Sequence, residues 1–331
     1  MSKVSVVMPV YNTKADYFKE AIDSVLGQSF QDFELLIVDN GSDIYIKDIV
    51  KSYKDEKIKY FRIDKNKESA IARNKAIDLA QSEYIAFIDS DDISLPQRLE
   101  KQVMFLDNNP DVGCLGTAVE IIGDDSEKMR FASVREHSEI ECYMLFFGCA
   151  FCQSSVMVRK FTLDKFNIRY RSEWFPTEDY GLFVDLVDRT KFKIIDEVLV
   201  KYRFHHNNTS HLYSNEQKEK SRIVQTFAIN KCCEMLVSNK NLLSRFILEE
   251  NLKVTELNEL AEIINNLMKY LSKRGYSEND VMYALKRKIK YVFYHNHSFR
   301  VQWILMHSPI NKIFHFPLWW RLMCLITRGI F

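Results

Sequence analysis

Glycine is scarce in this chain, with 9 in 331 residues. There is no G-x-G-x-x-G and no G-x-x-x-x-G-K-[ST], which speaks against a dinucleotide dehydrogenase and a P-loop enzyme. If the chain holds phosphate, side chains and a metal must do the work that a glycine-rich loop does elsewhere. The seven cysteines are odd in number and irregularly spaced, so they form no disulfide framework. Cys149-Ala150-Phe151-Cys152 has CxxC spacing but no second pair, and its apolar neighbours read as buried structural thiols. No uninterrupted run of about 18 apolar residues exists, which argues against a spanning helix. Val4 to Val10 is too short for the apolar stretch of a signal peptide, so the expected location is cytoplasmic.

What is present is an ordinary globular composition, 47% hydrophobic and 27% charged. The net charge of +1 hides an asymmetry. Residues 1–214 carry 28 Lys+Arg against 35 Asp+Glu, or −7, and residues 215–331 carry 18 against 10, or +8. The two parts are expected to face different partners.

The first hundred residues alternate strand and helix. Val4–Met8, Phe33–Val38, Ile58–Ile63 and Tyr84–Ile88 are short apolar runs, the first stopped by Pro9. Between them, 15–26, 44–53 and 69–80 read as helices, the first with Ala15, Phe18, Ile22, Val25 and Leu26 at helical spacing and Gly27 as its stop. Such alternation predicts βαβ units and a mostly parallel α/β sheet, with ligands at the carboxyl ends of the strands. Pro9–Asn12, Asp39–Ser42 and Asp89–Asp92 all fall at such ends. A helix is expected from Pro96 to Asn108, a strand at Val112–Ile122, a helix near 138–147 and a strand at Gln153–Val158. A helix from Glu178 to Asp188 and a strand at Phe192–Tyr202 follow. Residues 216–306 read as helical with a boundary at Gly275.

Asp89-Ser90-Asp91-Asp92 is the densest chemical signal. Three carboxylates at a strand end raise one another's pKa unless a cation sits beside them. A divalent ion would answer that, with a nucleoside diphosphate supplying the remaining oxygens. The alternative is a solvated acidic turn before the next helix. Asp39 could accept the imide N–H of uracil or thymine, or simply hold an Asx turn over Asn40-Gly41. Arg73 could pair with an acid or with a diphosphate. Glu178 and Asp179 offer a general base beside Trp174-Phe175-Pro176, or dipole-favoured acids in a first helical turn capped by Thr177. His205 follows a strand end, where it could join a metal's ligands.

Pro9-Val10-Tyr11-Asn12, Val38-Asp39-Asn40-Gly41-Ser42, Ala72-Arg73-Asn74, Ile88-Asp89-Ser90-Asp91-Asp92, Glu178-Asp179-Tyr180 and Tyr202-Arg203-Phe204-His205 together resemble the family 2 glycosyltransferases, over roughly residues 3–210. The resemblance implies a GT-A, Rossmann-like sheet in residues 1–214, with a nucleotide-sugar half to about 108 and an acceptor half beyond it. A helical, basic and aromatic C-terminal extension occupies 215–331. It implies inverting transfer from a nucleoside diphosphate sugar, most readily a UDP-sugar, to a hydroxyl of a glycan or lipid-linked glycan. Pro9, Tyr11, Asn12, Asp39, Arg73, Asp89 and Ser90 would hold the nucleotide sugar, Asp39 reading the base and Asp89 lying near the ribose. Asp91 would hold Mn²⁺ or Mg²⁺, with Asp92 and His205 completing the shell. Asp179, or else Glu178, would be the base. Two departures stand out: Asn40 where many members carry a second acid, and Glu68 where glycine is common. A sugar nucleotidyltransferase would be expected to show a glycine-rich, basic N-terminal loop, which is absent. A non-catalytic relic of the fold would have no use for a base.

Val281–Phe331 contains eight Lys or Arg and no Asp or Glu, with Trp303, Trp319 and Trp320 among them. Arg321 and Arg328 are seven apart in an otherwise apolar stretch. Such a segment suits a headgroup layer, each cation adding about 1 kcal/mol near an anionic surface; the alternative is a helix packed on the catalytic domain or on a second subunit. Nucleic acid is not expected, because the larger part of the chain is acidic. The full chain is therefore expected to float with anionic liposomes, and a chain cut before Val281 to stay in the soluble fraction. Equal recovery of both in the soluble fraction would rule the membrane contact out.

Overall fold

The computed structural model describes residues 1–43, 46–63, 69–123, 129–131, 136–233, 240–248, 256–273 and 276–295. The chain divides into two compact units, one of Met1–Ile140 with Cys149–Val224, the other of Glu141–Gly148 with the residues from Gln225 onward.

In the first unit, β1 (Val4–Val10), α1 (Ala15–Leu26), β2 (Phe33–Asp39), α2 (Ile46–Ser52), β3 (Ile58–Arg62), α3 (Ser69–Leu79) and β4 (Tyr84–Phe87) follow one another as the hydrophobic pattern predicts. Strands β3, β2, β1 and β4 lie side by side, all parallel. Every residue of β2 is buried, as a parallel strand covered on both faces requires. Helix α1 turns Phe18, Ala21, Ile22 and Val25 inward, and it stops where the Gly27 N–H returns to the Asp23 carbonyl at 2.9 Å.

Pro9 does not end the first strand, which continues to Val10. The Ile88 N–H donates to the Val7 carbonyl, so odd-numbered residues of β1 turn their polar groups toward β4. Strand β4 ends at Phe87, and the donor that Pro9 lacks falls beyond the ladder, where a proline costs no hydrogen bond.

Beyond β4 come β5 (Ile93–Ser94), α4 (Arg98–Asn108), β6 (Val112–Ile122), β7 (Met129–Phe131), α5 (His137–Phe146), β8 (Met157–Arg159), α6 (Lys160–Lys165), α7 (Glu178–Leu186), β9 (Lys191–Arg203), α8 (Thr209–Leu212) and α9 (Ser214–Cys233). The sheet continues β4-β8-β6-β9-β5, with β8 antiparallel to both neighbours and β6 parallel to β9.

The strand expected over Gln153–Val158 is instead a 3₁₀ turn at Gln153–Ser155 followed by β8. Side chains of α4 take its carbonyls. The buried Arg98 guanidinium donates to the carbonyls of Phe87 (2.8 Å) and Val156 (3.3 Å), and Gln102 donates to that of Ser155 at 2.9 Å. Burial pushes Arg98 down to about 10, so a cation with no carboxylate in its hydrogen-bond set fastens β4 to the turn. This fastening fixes the strand end that carries Asp89–Asp92.

The second unit contains α10 (Lys240–Ile247), α11 (Leu257–Lys273) and α12 (Glu278–His295), which bury Leu243, Phe246, Leu260, Ile264, Leu271, Leu285 and Ile289. The cationic groups of Arg287 and Lys288 lie over the Phe147 ring at 4.9 and 5.6 Å. The helical reading of residues 216–306 holds over these segments, while Gly275, 296–331 and the Arg321–Arg328 stripe lie outside the described residues. Among the described residues no helix is long and apolar enough to cross a membrane.

Helix α7 carries Glu178 and Asp179, and its approach to Trp174 depends on Gly181. A Cβ there would lie 1.7 Å from Trp174 Cε3. Gly181→Ala is expected to cost about 1–3 kcal/mol of stability in denaturant unfolding.

Candidate functional site

The polar motifs at the ends of β1, β2 and β4 converge because these strands are adjacent and parallel. Asn12 has a positive φ of 50°, which asparagine tolerates. Its N–H donates to Ser42 Oγ at 3.0 Å, and its amide exchanges hydrogen bonds with Asp43 at 2.8 and 3.2 Å. Thr13 Oγ1 and Ser90 Oγ are 2.6 Å apart. The first turn is thereby tied to the other two, and a cavity of about 910 Å³ opens at this rim. Pro9, Tyr11, Asn12, Arg73, Asp89, Ser90, Asp91, Glu178, Asp179 and His205 all line it. Of the twelve candidate residues, only Asp39 and Asp92 are outside its lining.

Asp39 is fully buried. Its Oδ1 accepts the Ser42 N–H at 2.8 Å, and its Oδ2 accepts the Tyr60 hydroxyl at 2.7 Å and Arg62 Nη1 at 2.9 Å. Burial and the neighbouring carboxylate push Tyr60 up to about 12, so its hydroxyl remains a donor. Both the Asx turn and a salt bridge occupy this carboxylate. Its neighbour Asn40 is the residue of that turn that lines the cavity.

Asp92 is also fully buried, and its Oδ1 accepts the Arg203 N–H at 2.7 Å. Burial, with the charges of Asp91 and Asp89 beside it, holds its carboxyl well above the usual range. The structure thus sets Asp92 beneath the rim and leaves Asp91 upon it. Asp91 Oδ2 meets His205 Nε2 at 2.9 Å and Asn208 Nδ2 at 3.2 Å. The Asn207 N–H donates to His205 Nδ1 at 3.2 Å, which directs a Nε2 proton toward Asp91 in this arrangement.

A carboxylate oxygen and an imidazole nitrogen side by side form a donor pair suited to Mn²⁺, more than to the oxygen-preferring Mg²⁺. Among the described residues no group of three His, Cys, Asp or Glu side chains is placed to hold a metal. The donor pair therefore fits a cation only with further ligands from outside the chain, as diphosphate oxygens would supply.

Arg73 is the residue whose placement the sequence does not disclose. It is buried in α3 and donates through Nη2 to Asp89 Oδ1 at 2.7 Å and through Nη1 to Glu178 Oε1 at 2.9 Å. Ser69 Oγ also binds Glu178 Oε1. Asp89 is held from its other side by Ser154 Oγ, which takes its backbone N–H at 3.0 Å. Glu178 Oε1 thus takes two hydrogen bonds, one of them from a guanidinium, and the side chain is 6% exposed. Asp179, one residue on, is half-buried, faces the cavity, and has the Tyr180 N–H on its Oδ1 at 2.7 Å. Burial first, and then the Glu178 charge, raise it to about 6. Two adjacent acids therefore differ: one is locked in a salt bridge, the other is poised near neutrality.

The CxxC pair contains two free thiols, both pushed well above their ordinary value by burial. The residues that sequence reasoning passed over are Tyr60, Arg62, Ser154 and Asn208. Only Asn208 had a local signal, as the end of the polar run His205-His206-Asn207-Asn208.

The model of the family described as glycosyl transferase family 2 matches residues 5–166. An uncharacterised glycosyltransferase of Methanocaldococcus jannaschii is 34% identical over 229 residues, 66% of this chain and 75% of that protein. The O-antigen biosynthesis glycosyltransferase WbnJ of Escherichia coli is 31% identical over 63% of this chain and 82% of its own length. Among solved structures, S. aureus TarS 1–349 in complex with UDP-GlcNAc aligns with a TM-score of 0.59 at 17% identity, covering 91% of this chain and 90% of that one. A mannosyltransferase of Pyrobaculum calidifontis bound to GDP-Man and Mn²⁺ aligns with a TM-score of 0.53 at 12% identity, covering 98% and 84%. The mixed sheet and its helices share the GT-A fold of the TarS structures, and the chain belongs to glycosyltransferase family 2.

Proposed function

We propose that this chain transfers a sugar from a nucleoside diphosphate donor to an acceptor hydroxyl in one inverting displacement. The observation that carries the reading is the difference between the two adjacent acids that line the cavity: Glu178 is paired with Arg73, whereas Asp179 has no cationic side chain on it among the described residues and its carboxyl is raised to about 6. At pH 7 such a group is mostly ionised yet basic enough to accept a proton from a hydroxyl. The acceptor oxygen attacks the anomeric carbon, the bond from that carbon to the diphosphate breaks, and the nucleotide leaves with the electron pair. The acceptor proton passes to Asp179. A single displacement inverts the centre and needs no second, nucleophilic carboxylate.

Arg73 holds Asp89 in place for the nucleotide, and its charge keeps Glu178 out of the reaction. Asp91 and His205 would hold Mn²⁺ or Mg²⁺, and the cation would stabilise negative charge on the departing diphosphate. Asp92 and Asp39 serve from beneath, Asp92 holding Arg203 and Asp39 shaping the turn that presents Asn40. UDP is the favoured nucleotide, supported by the likeness to TarS in complex with UDP-GlcNAc. The likeness to WbnJ supports a role in surface polysaccharide synthesis. A lipid-linked acceptor would agree with a peripheral position on the cytosolic face through residues 281–331.

Asp179→Asn is the test. Transfer should fall by about 10²- to 10⁴-fold, while UDP still raises the melting temperature in Mn²⁺ and less so in EDTA. The wild-type rate should rise with pH through about 6, and this limb should vanish in the variant. The stability effect runs the other way. A carboxyl raised in the folded state contributes stability below its unfolded value near 4 and loses it as pH rises through about 6. Asp179→Asn should therefore melt above the wild type at pH 8. A variant of normal rate would remove the base assignment. No shift with any of UDP-, dTDP-, GDP- or CMP-sugars would remove the donor reading.

A further inference from the structure

The wall of the cavity changes character past Asp179. The Lys and Arg side chains that line it are Lys14 and Arg73. Lys14 lies over the Tyr17 ring at 4.8 Å, and Arg73 is held by Asp89 and Glu178. Both belong to the side formed by the polar turns. The opposite stretch presents Ile121, Phe175, Pro176, Leu212, Tyr213 and Gln217. None of these six carries a charge.

Two of them form a built surface. The rings of Phe175 and Tyr213 meet edge to face, with centroids 5.2 Å apart and planes at 75°. Phe175 precedes α7, and Tyr213 lies between α8 and α9. Two hydrogen bonds fasten those segments together: Gln217 Nε2 donates to the Pro176 carbonyl at 3.3 Å and Lys220 Nζ to the Glu173 carbonyl at 2.7 Å. Within the second segment the Gln217 N–H donates to the Tyr213 carbonyl at 2.7 Å. Phe175 and Tyr213 are only half-buried, Phe175 between the buried Trp174 and Pro176 and Tyr213 between the exposed Leu212 and Ser214. A fixed aromatic pair left partly open beside the proposed base offers apolar area to something that sits there transiently.

Resting on the reading of the site as a sugar-transfer centre, we infer that Phe175 and Tyr213 form the acceptor subsite, and that the residue it takes is an uncharged sugar ring. The aliphatic C–H face of a pyranose or furanose can cover an aromatic ring and bury apolar area against it. Its hydroxyls remain at the edge, one of them toward Asp179. Among the described residues this wall offers a phosphate- or carboxylate-bearing acceptor residue no Lys or Arg side chain, and such a residue would bring a like charge toward Asp179.

The test is ligand-observed NMR on the full chain loaded with UDP and Mn²⁺. The probes are methyl glycosides of neutral hexoses and N-acetylhexosamines, each beside its 6-phosphate or uronate counterpart. Neutral glycosides should bind more tightly than their charged counterparts. Phe175→Ala and Tyr213→Ala should weaken them by roughly tenfold, whereas Tyr213→Phe, which keeps the ring, should hold affinity within about twofold. Phe161→Ala, an exposed aromatic on α6 outside the cavity lining, should change nothing. The UDP affinity of every variant, titrated separately, reports whether the fold and donor site survive. Preference for the charged counterparts, binding unaffected by both alanine variants, or no binding of any neutral glycoside would each overturn the inference while leaving the transfer reading intact. Loss of UDP binding by the wild type would instead strike that reading itself.

Discussion

One buried guanidinium organises the site. Arg73 reaches two carboxylates from elements far apart in the chain, Asp89 at the end of β4 and Glu178 at the start of α7. A cation so buried is costly unless paired, and removing a partner from such a pair costs more than the pair contributes. The arrangement is therefore self-reinforcing: the acids need the arginine, and the arginine needs both acids. It joins the part of the fold that would hold a nucleotide to the part that would receive an acceptor.

From that bridge follows the division of labour between Glu178 and Asp179. Adjacent carboxylates repel, and the cheapest resolution is for one to be neutralised by a cation while the other rises in pKa. The same logic recurs around the rim. Asp89 and Asp91 line the cavity, while Asp92 sinks below them, its carboxyl held well above the usual range by burial, and accepts the Arg203 N–H. Asp39 is sealed by Tyr60 and Arg62 and acts on the cavity through the turn it shapes.

Much of the fold is legible in the linear pattern. The strands β1 to β4 and β6 and the helices α1, α3 and α7 are foreshadowed by apolar period and by Gly or Asp punctuation, within two or three residues at most ends. The failures have local causes. Pro9 looks like a stop because a proline lacks a donor, yet whether that matters depends on where β4 ends. The turn at Gln153–Ser155 has the composition of a strand, and it is not one because Arg98 and Gln102, about 50 residues upstream, claim its carbonyls. Short strands such as β5 and β7 exist only through their partners and leave almost no signal of their own.

By itself the sequence determined the order of strands and helices and the clustering of polar motifs at strand ends, which depend on periodicity and spacing, properties of neighbouring residues. Its motifs also carried the resemblance to a glycosyltransferase family. Only the tertiary structure decided which of Glu178 and Asp179 is spent, why Asp39 and Asp92 lie beneath the rim, and which wall of the cavity is uncharged. Those outcomes are fixed by burial and by partners remote in sequence, 105 residues away for Arg73 and Glu178 and 111 for Arg203 and Asp92. A carboxylate's charge and availability belong to its surroundings, and folding creates those surroundings.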